Sequence, residues 1–202
     1  MRLNELELRL KEALARPAPA SSDFDLNKDF TPPPGRKLRP AAVLIPLIEG
    51  MDGVEVVLTK RSSRLKHHPG QIAFPGGKVD PTDATPEAAA HREAWEEIGL
   101  PIGAARVIGA LPTHETVTSF TMTSFVGAVE TPFVPKPEVG EVAEVFSVPF
   151  EHVINPARFR VERRRWQGRW RHYYTIPFGP YYIWGATARI LRSMSELMQN
   201  AR

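Results

Sequence analysis

The chain has 202 residues, 42% of them hydrophobic, which is enough for one domain with a sizeable buried core. It contains no cysteine, which excludes disulfide bonds, thiolate metal sites and thiol catalysis. The formal net charge is +3, but residues 158–171 hold seven arginines and one glutamate, a local +6, so the rest of the chain carries −3. This is not the charge balance of a nucleic-acid coat protein, and nucleic acid is not the expected partner.

The first predicted element is an amphipathic helix over residues 2–15, because leucines recur at helical spacing at Leu3, Leu6, Leu10 and Leu14. Residues 16–40 then contain six prolines and little periodicity, which predicts an extended arm docked on the rest of the protein. We therefore expect an N-terminal helix and proline-rich arm over residues 1–37, followed by one domain over residues 38–202.

The N-terminal segment does not predict export. Residues 1–16 alternate charges with leucines and lack the apolar stretch of a signal peptide. The longest apolar run, residues 41–48, is interrupted by Pro46 and is too short to cross a bilayer. The expectation is a cytoplasmic location without a membrane partner.

Most of the remaining elements are predicted to be strands. Residues 41–48 and 54–60 indicate a strand pair joined at residues 50–53. Further strand signals lie at residues 105–111, 121–129 and 143–149, and residues 161–166 and 169–176 flank Gln167-Gly168, a pair typical of a hairpin turn. Apolar residues at helical spacing predict a terminal helix over residues 183–198.

A helix between these strands carries three glutamates within five residues. Thr85 can cap its start, Pro86 suits the first helical position, and Gly99 is placed to end it. The glutamates Glu93, Glu96 and Glu97 share an arc of roughly 100°. Like charges at this spacing repel by a few tenths of a kcal/mol, roughly, per pair, which bound cations can offset. Oxygen ligands of this kind suit Mg²⁺ or Mn²⁺, although an isolated acidic cluster is more often a solvated face.

Two further expectations concern this helix. Its apolar side, with Ala88, His91, Trp95 and Ile98 and with Ala94 at the edge, is expected to pack inward. Arg92 lies one turn before Glu96 and is expected to hydrogen-bond to it, which would fix the orientation of the carboxylate.

The segment resembles the Nudix box, the signature of a superfamily of pyrophosphohydrolases. Residues 92–100 match every fixed position of the pattern Arg-Glu-apolar-x-Glu-Glu-x-Gly-apolar. The first half departs from it, because Gly77 stands one residue too far from Arg92 and Asp83 occupies the place of the first glutamate. The resemblance implies an α+β fold in which a mixed β-sheet is sandwiched between α-helices. It also implies hydrolysis of a pyrophosphate linkage assisted by Mg²⁺ or Mn²⁺.

A motif immediately upstream is similar to one found in the coenzyme A pyrophosphatases of this superfamily. Ser62, Gly70 and the run Phe74-Pro75-Gly76-Gly77 match it, whereas Lys66 stands where that pattern has arginine. Lysine keeps the charge but not the planar, two-pronged phosphate contact of arginine. Residues 183–191 also resemble the closing helix of that subfamily, so the likeness spans roughly residues 38–195.

The resemblance assigns roles to individual residues. The expected metal ligands are Glu93, Glu96 and Glu97, with the carbonyl of Gly77 completing the set. Either Glu93 or Glu141, from a distal loop, is the candidate general base. Contacts to substrate phosphates are expected from Arg61, Arg64 and Lys66.

Three functions stay open on the sequence. The leading one is hydrolysis of coenzyme A or acyl-coenzyme A to 3′,5′-ADP and a 4′-phosphopantetheine product. The second is hydrolysis of another nucleoside diphosphate derivative, such as ADP-ribose or a dinucleotide. The third is a catalytically silent domain that binds nucleotides or RNA, against which the retained Arg92-Glu93 and Glu96-Glu97 pairs argue. The expected partner is a small nucleotide, and the oligomeric state stays open, a homodimer included.

The arginine-rich hairpin of residues 158–171 supports two interpretations. Trp166, Trp170, Tyr173 and Tyr174 interleave with its arginines, a mixture that can stack on bases and bind phosphates. The simpler interpretation is a solvated edge hairpin whose tryptophans pack on the core and whose charges prevent pairing with other chains. If the segment is functional, recognition of a phosphorylated nucleotide is favoured over RNA because the basic patch is small.

Overall fold

In the computed structural model, the residues described are 1–30, 32, 35–166 and 168–199. The helices are α1 (Leu3–Leu14), α2 (Pro86–Ile98), α3 (Phe150–Val153) and α4 (Ala186–Gln199). The first strands are β1 (Ser21–Ser22), β2 (Arg39–Gly50), β3 (Gly53–Arg61), β4 (Ile72–Ala73) and β5 (Gly76–Lys78). They are followed by β6 (Ala105–Glu115), β7 (Phe120–Val129), β8 (Val142–Pro149), β9 (Arg160–Trp166) and β10 (Arg169–Thr175). The strands predicted from the sequence are confirmed, with ends that shift by a few residues.

Within the described residues, eight strands form one mixed sheet. Six of them follow the order β1-β6-β7-β2-β3-β4, and β5 and β8 pair with β2 and β3 beside this path. The β2 and β7 strands run parallel, whereas β2 pairs with β3 and with β5 antiparallel, and β8 pairs with β3. The strands β9 and β10 form a separate antiparallel ribbon, in which Trp166 lies opposite Arg169. The hairpin prediction is therefore confirmed, although Gln167 of its turn lies outside the described residues.

Strand β2 is buried on both faces, which explains its continuous apolar run. Val43, Ile45 and Leu47 belong to the larger core, which they share with α1 and α4. Ala42 and Leu44 point to the opposite face, where α2 packs. Because successive side chains of a strand alternate between faces, this one strand separates two cores. The predicted mixed sheet between helices is confirmed.

The N-terminal segment contributes to the larger core. Leu6 and Leu10 of α1 are fully buried, and they lie in the same cluster as Leu191 and Met194 of α4. Replacing one such leucine with alanine costs about 2–5 kcal/mol of stability. Farther along the chain, β1 pairs in parallel with β6. The division into residues 1–37 and 38–202 stays a prediction.

The inward face of α2 differs from the expected one. Trp95 is half exposed, and the buried apolar residues of the helix are Ala89, Ala90, Ala94 and Ile98. Side chains of alanine size let the helix backbone lie close to β2, and an indole ring does not fit into so narrow a gap. Trp95 therefore points to solvent, and the prediction that it packs inward was wrong.

Candidate active site

Helix α2 begins and ends where its sequence predicts. The hydroxyl of Thr85 accepts a hydrogen bond from the amide of Ala88 at 3.1 Å, and Pro86 occupies the first turn. Gly99 adopts a left-handed conformation at φ 70°, and the next amide bonds back to the carbonyl of Ala94. These caps fix the register of the helix and thus the direction of its glutamates.

Arg92 holds the acidic side chains of this region in place. Its Nε and Nη2 atoms donate to the two carboxylate oxygens of Asp83 at 2.9 and 3.0 Å. Its Nη1 atom donates to Glu93 at 3.1 Å and to Glu96 at 2.8 Å, as expected for Glu96. The hydrogen bond to Asp83 raises the pKa of Arg92, and the same bond lowers the pKa of Asp83. Asp83, at the place of the first glutamate in the box, thus orients the arginine.

Glu97 is the most buried of the three glutamates, with 4% of its surface exposed. Its carboxylate accepts a hydrogen bond from the amide of Gly76 at 3.1 Å and lies 3.9 Å from Nη1 of Arg61. Burial raises the pKa of Glu97 to about 7, and the charges of Glu93 and Glu141 add to this shift. The site therefore concentrates negative charge that its own cations do not fully balance.

Glu93 and Gly77 are in close contact. A Cβ atom added at Gly77 would lie 2.5 Å from Oε1 of Glu93, so only glycine leaves room for this carboxylate against the backbone of strand β5. Burial raises the pKa of Glu93, while the charge of Arg92 opposes the shift. The carboxylate of Glu93 therefore lies directly against the main chain of Gly77, and we call this contact the Gly77 cradle.

These groups fit a hard divalent cation in charge and in chemistry. Within the described residues, no three His, Cys, Asp or Glu side chains already stand grouped as a metal site. The donors are nevertheless oxygen atoms. Burial raises the pKa values of Glu93 and Glu97, and repulsion from neighbouring glutamates adds to both shifts, which a cation relieves. The Gly77 cradle places a backbone segment beside them.

The other predicted residues lie at different depths. Glu96 is half exposed and turned toward Arg92, away from Glu97. The carboxylate of Glu141 is close enough to Glu93 and Glu97 to raise their pKa values, and its carbonyl accepts a hydrogen bond from the amide of Ser62 at 2.7 Å. The charges of Glu93 and Glu141 thus act on Glu97, those of Glu96 and Glu141 act on Glu93, and Glu96 is the most exposed of the three helix glutamates.

Of the three residues expected to contact phosphate, one lies beside Glu97 and two are exposed in a loop. Arg61 lies against Glu97, and its buried Nε atom has no hydrogen-bond partner in the described part of the chain. Arg64 and Lys66 are exposed in the loop that follows. Sequence reasoning missed the amide of Gly76 as a donor to Glu97, although this glycine belongs to the quoted motif. Sequence reasoning also missed that Asp83 accepts two hydrogen bonds from Arg92. The only hint in the sequence was that Asp83 precedes Arg92 by nine residues.

Residues 37–168 match the NUDIX domain family. The chain belongs to this family. It is similar to NudL of Enterobacter sp. strain 638, which is described as an uncharacterized Nudix hydrolase. The two sequences are 40% identical over 161 residues, which cover 78% of this chain and 81% of the relative. NudL of Escherichia coli K12, with the same description, is 39% identical with the same coverage.

Solved structures of Nudix proteins are also similar to the chain. One is the crystal structure of the Nudix hydrolase RenU from M. smegmatis, with 28% identity, a TM-score of 0.48 and coverage of 58% of this chain and 73% of that one. Another is a C. elegans Ap4A hydrolase binary complex, with 19% identity, a TM-score of 0.49 and coverage of 56% and 83%.

Family membership confirms the α+β Nudix fold and identifies the chain as a Nudix hydrolase. Members of this family generally use divalent ions such as Mg²⁺ or Mn²⁺ and act on small nucleotide substrates. No helix in the described ranges combines the length and the apolar character needed to cross a membrane.

Proposed function

We propose that this Nudix hydrolase cleaves the pyrophosphate linkage of coenzyme A or acyl-coenzyme A, giving 3′,5′-ADP and (acyl-)4′-phosphopantetheine. The observation that carries the hydrolytic part is the placement of two carboxylates, Glu93 against Gly77 and the buried Glu97 beside Arg61; burial is the main cause of their raised pKa values. The choice of coenzyme A rests on the upstream motif that ends in Phe74-Pro75-Gly76-Gly77.

The residues that would hold Mg²⁺ or Mn²⁺ are Glu93 and Glu97 with the carbonyl of Gly77, and Glu96 at the rim. When bound, such an ion neutralises phosphate charge and promotes the ionisation of water. Arg92 keeps Glu93 and Glu96 in fixed orientations, and the amide of Gly76 does the same for Glu97. These fixed positions lower the reorganisation that the reaction requires.

Arg61 is placed to bind the scissile diphosphate. Its Nη1 atom lies 3.9 Å from Glu97, and 27% of its side chain is exposed. A guanidinium with free donors forms strong, charge-assisted bonds to phosphate oxygens. Arg64 and Lys66 in the next loop supply additional positive charge.

The general base is a carboxylate of the cluster. Glu93 and Glu141 remain the two candidates, and both face the same charged region because Glu141 raises the pKa of Glu93. A carboxylate whose pKa is raised accepts a proton more readily at neutral pH. Single replacements of each residue by glutamine, read through the pH profile of kcat, separate the two.

The test is a substrate panel with Mg²⁺ and Mn²⁺: coenzyme A, dephospho-coenzyme A, ADP-ribose, a dinucleotide and NADH. We expect the highest kcat/KM for coenzyme A, about ten- to a hundredfold above its dephospho form, because one charge-assisted phosphate contact is lost. If ADP-ribose or the dinucleotide is the better substrate, the coenzyme A assignment fails and hydrolysis stands. Nucleotide binding without any hydrolysis would overturn the enzymatic proposal.

A further inference from the structure

The two faces of the β9–β10 ribbon differ in their surroundings. Because residues directly opposite each other share a face, Arg164 lies on the side of Glu162 and Tyr173, whereas Arg163 and Arg165 lie on the other side. We refer to the side of Arg164 as the inner face and to the side of Arg163 as the outer face.

The inner face is attached to the body of the protein. The carboxylate of Glu162 accepts a hydrogen bond from the hydroxyl of Tyr182 at 2.5 Å. Arg171 is paired with Asp23 at 3.2 Å. Thr175 forms an isolated bridge with Trp184, which continues the ribbon into the segment before α4. These three contacts fix the position of the ribbon on the protein.

The same segment touches the loop that leads into the active site. The hydroxyl of Thr187 donates to the carbonyl of Ile72 at 3.0 Å. A Cβ atom added at Gly185 would lie 3.6 Å from Nε2 of Gln71, so these two residues are also neighbours. Two residues beyond β4 the chain reaches Pro75 and then the glycines of the catalytic cradle. In this loop, His68 adopts a left-handed backbone conformation at φ 54°, which is uncommon outside glycine and clusters at functional sites.

Arg164 is held in place but not neutralised. Its guanidinium carbon lies 4.1 Å from the ring centre of Trp184 and 5.9 Å from that of Tyr173. No carboxylate of the described residues lies within ion-pair distance of Arg164. A stacked guanidinium keeps its N–H edge free for a planar contact with phosphate, and less side-chain freedom is lost when that contact forms.

The charge of Arg164 acts on His68 of the active-site loop. Burial lowers the pKa of His68, and the nearby charges of Arg61 and Arg164 lower it further. Arg61 also lies beside Glu97, so positive charge extends from the catalytic glutamate across the loop to the ribbon.

We propose that Arg164, positioned by Trp184 and Tyr173, binds a phosphate of the nucleotide substrate that lies outside the scissile linkage, namely the 3′-phosphate of the adenosine half. The inference rests on the proposed function for the identity of this phosphate. The outer face matches the simpler role of guarding an edge, since Arg163 and Arg165 flank the exposed Trp170 at 4.7 and 5.9 Å.

The test compares Arg164→Gln with the matched outer-face variant Arg163→Gln. Binding of 3′,5′-ADP and of 5′-AMP is measured by calorimetry in the full-length protein, so that the result does not depend on turnover. We expect Arg164→Gln to weaken 3′,5′-ADP binding by about ten- to a hundredfold and to change AMP binding by less than about threefold. Arg163→Gln should leave both affinities within about twofold of the wild-type values, and circular dichroism should show both variants folded.

Kinetics and salt dependence complete the test. If coenzyme A is hydrolysed, Arg164→Gln should raise KM for coenzyme A but not for dephospho-coenzyme A, with kcat nearly unchanged. The rise of KM with ionic strength should be smaller in this variant than in the wild type. Equal losses for both nucleotides, or none, overturn the assignment of Arg164. Selective loss of 3′,5′-ADP binding in a protein that does not cleave coenzyme A would support Arg164 and reject the proposed substrate.

Discussion

The Nη1 atom of Arg61 lies 3.9 Å from Oε1 of the buried Glu97. At this separation the two side chains interact through their charges and form no short hydrogen bond. The charge of Arg61 lowers the pKa of Glu97 by less than burial raises it, so this pKa still rises to about 7. An arginine held this way balances the carboxylate in part and keeps donors for a phosphate. The candidate site thus contains a partly balanced charge pair beside Glu97, which is where we propose that the cation and the substrate phosphate bind.

The first prediction concerns Glu97. Glu97→Gln keeps the shape of the side chain and removes one negative charge from the cluster. We expect kcat to fall by at least about a hundredfold, the scale for removing one major electrostatic stabiliser, and half-saturation to require more Mg²⁺. Glu87→Gln, an exposed glutamate in the first turn of the same helix, is the control and should retain normal turnover. Near-normal activity of Glu97→Gln at low Mg²⁺ would show that Glu97 is not a ligand.

The second prediction separates two adjacent glycines. A Cβ at Gly76 would lie 2.5 Å from the carbonyl oxygen of Ala42, and Gly76 has φ 153°, so Gly76→Ala should destabilise the fold by about 1–3 kcal/mol. The three atoms nearest to a Cβ at Gly77 all belong to the flexible end of the Glu93 side chain. Gly77→Ala should therefore unfold within a few degrees of the wild type but lose activity by up to about a hundredfold, because the carboxylate is displaced.

Thermal unfolding and steady-state kinetics of the two glycine variants provide the check. Activity is compared at temperatures where both variants are folded. If both lose activity to a similar extent, the prediction for Gly77→Ala holds, but the two glycines are not separated by their effect on activity. Full activity of Gly77→Ala would show that the position of Glu93 does not matter to the reaction.

The third prediction concerns Asp83, which holds Arg92 by two hydrogen bonds. Asp83→Asn should lower the affinity for Mg²⁺ by about ten- to a hundredfold, as is typical when a residue supporting metal ligands is changed. Asp80→Asn is the control, since Asp80 is half exposed and 3.8 Å from Arg92. The double variant with Arg92→Gln should be little worse than the poorer single variant. Simple additivity would mean that Asp83 acts independently of Arg92.

The fourth prediction concerns the arm residue Asp23. Burial alone would raise the pKa of Asp23, but the nearby His114, whose Nε2 lies 3.5 Å from the carboxylate, together with the amide of Val117 and the charge of Arg171, lowers it. Asp23→Asn should destabilise the protein by about 3 kcal/mol, the low end for breaking a buried pair, since both partners retain some exposure. This corresponds to a decrease in Tm of about 6–12 °C.

The effect of Asp23 should depend on pH in a defined direction. Because the folded-state pKa lies below that of the unfolded chain, the carboxylate stabilises the fold fully above about pH 4 and loses this contribution as pH falls through the folded-state value. The difference in Tm between wild type and Asp23→Asn should accordingly be constant near neutral pH and shrink below about pH 4. A difference that grows on acidification would exclude this role.

The fifth prediction concerns Lys66, the lysine at the arginine position of the upstream motif. Its side chain is exposed in the loop after β3, where a single charge contact contributes at most about 1 kcal/mol. Lys66→Ala should therefore reduce the preference for coenzyme A over dephospho-coenzyme A by no more than about fivefold. A larger reduction, measured as the ratio of kcat/KM values, would assign the 3′-phosphate to Lys66 rather than to Arg164.

Local signals predicted most of the fold and part of the site. The caps at Thr85 and Gly99, and the apolar runs of β2 and β3, are properties of neighbouring residues, so the sequence reveals them directly. The inward face of α2 depends on the gap to β2, a distance that no local pattern contains. Trp95 was misplaced for this reason.

The site shows the same division. The grouping of Glu93, Glu96 and Glu97 follows from helical spacing, but their different depths follow from the position of strand β5 beside the helix. Likewise, the proximity of Arg164 to His68 joins residues 96 positions apart and arises only from the docking of the ribbon. Tertiary contacts therefore decide which of the predicted charges can act together.

The contacts of Asp23 bear on how the protein can be shortened. This residue accepts a hydrogen bond from the amide of Val117 at 2.9 Å and pairs with Arg171 of the ribbon, so the arm connects the sheet edge to the inner face. A chain trimmed to begin at residue 38 would expose the surface that Leu6 and Leu10 cover and would release Arg171. We expect such a fragment to aggregate, or to lose the proposed recognition of the nucleotide, although it keeps every residue proposed to bind the metal or to take part in catalysis.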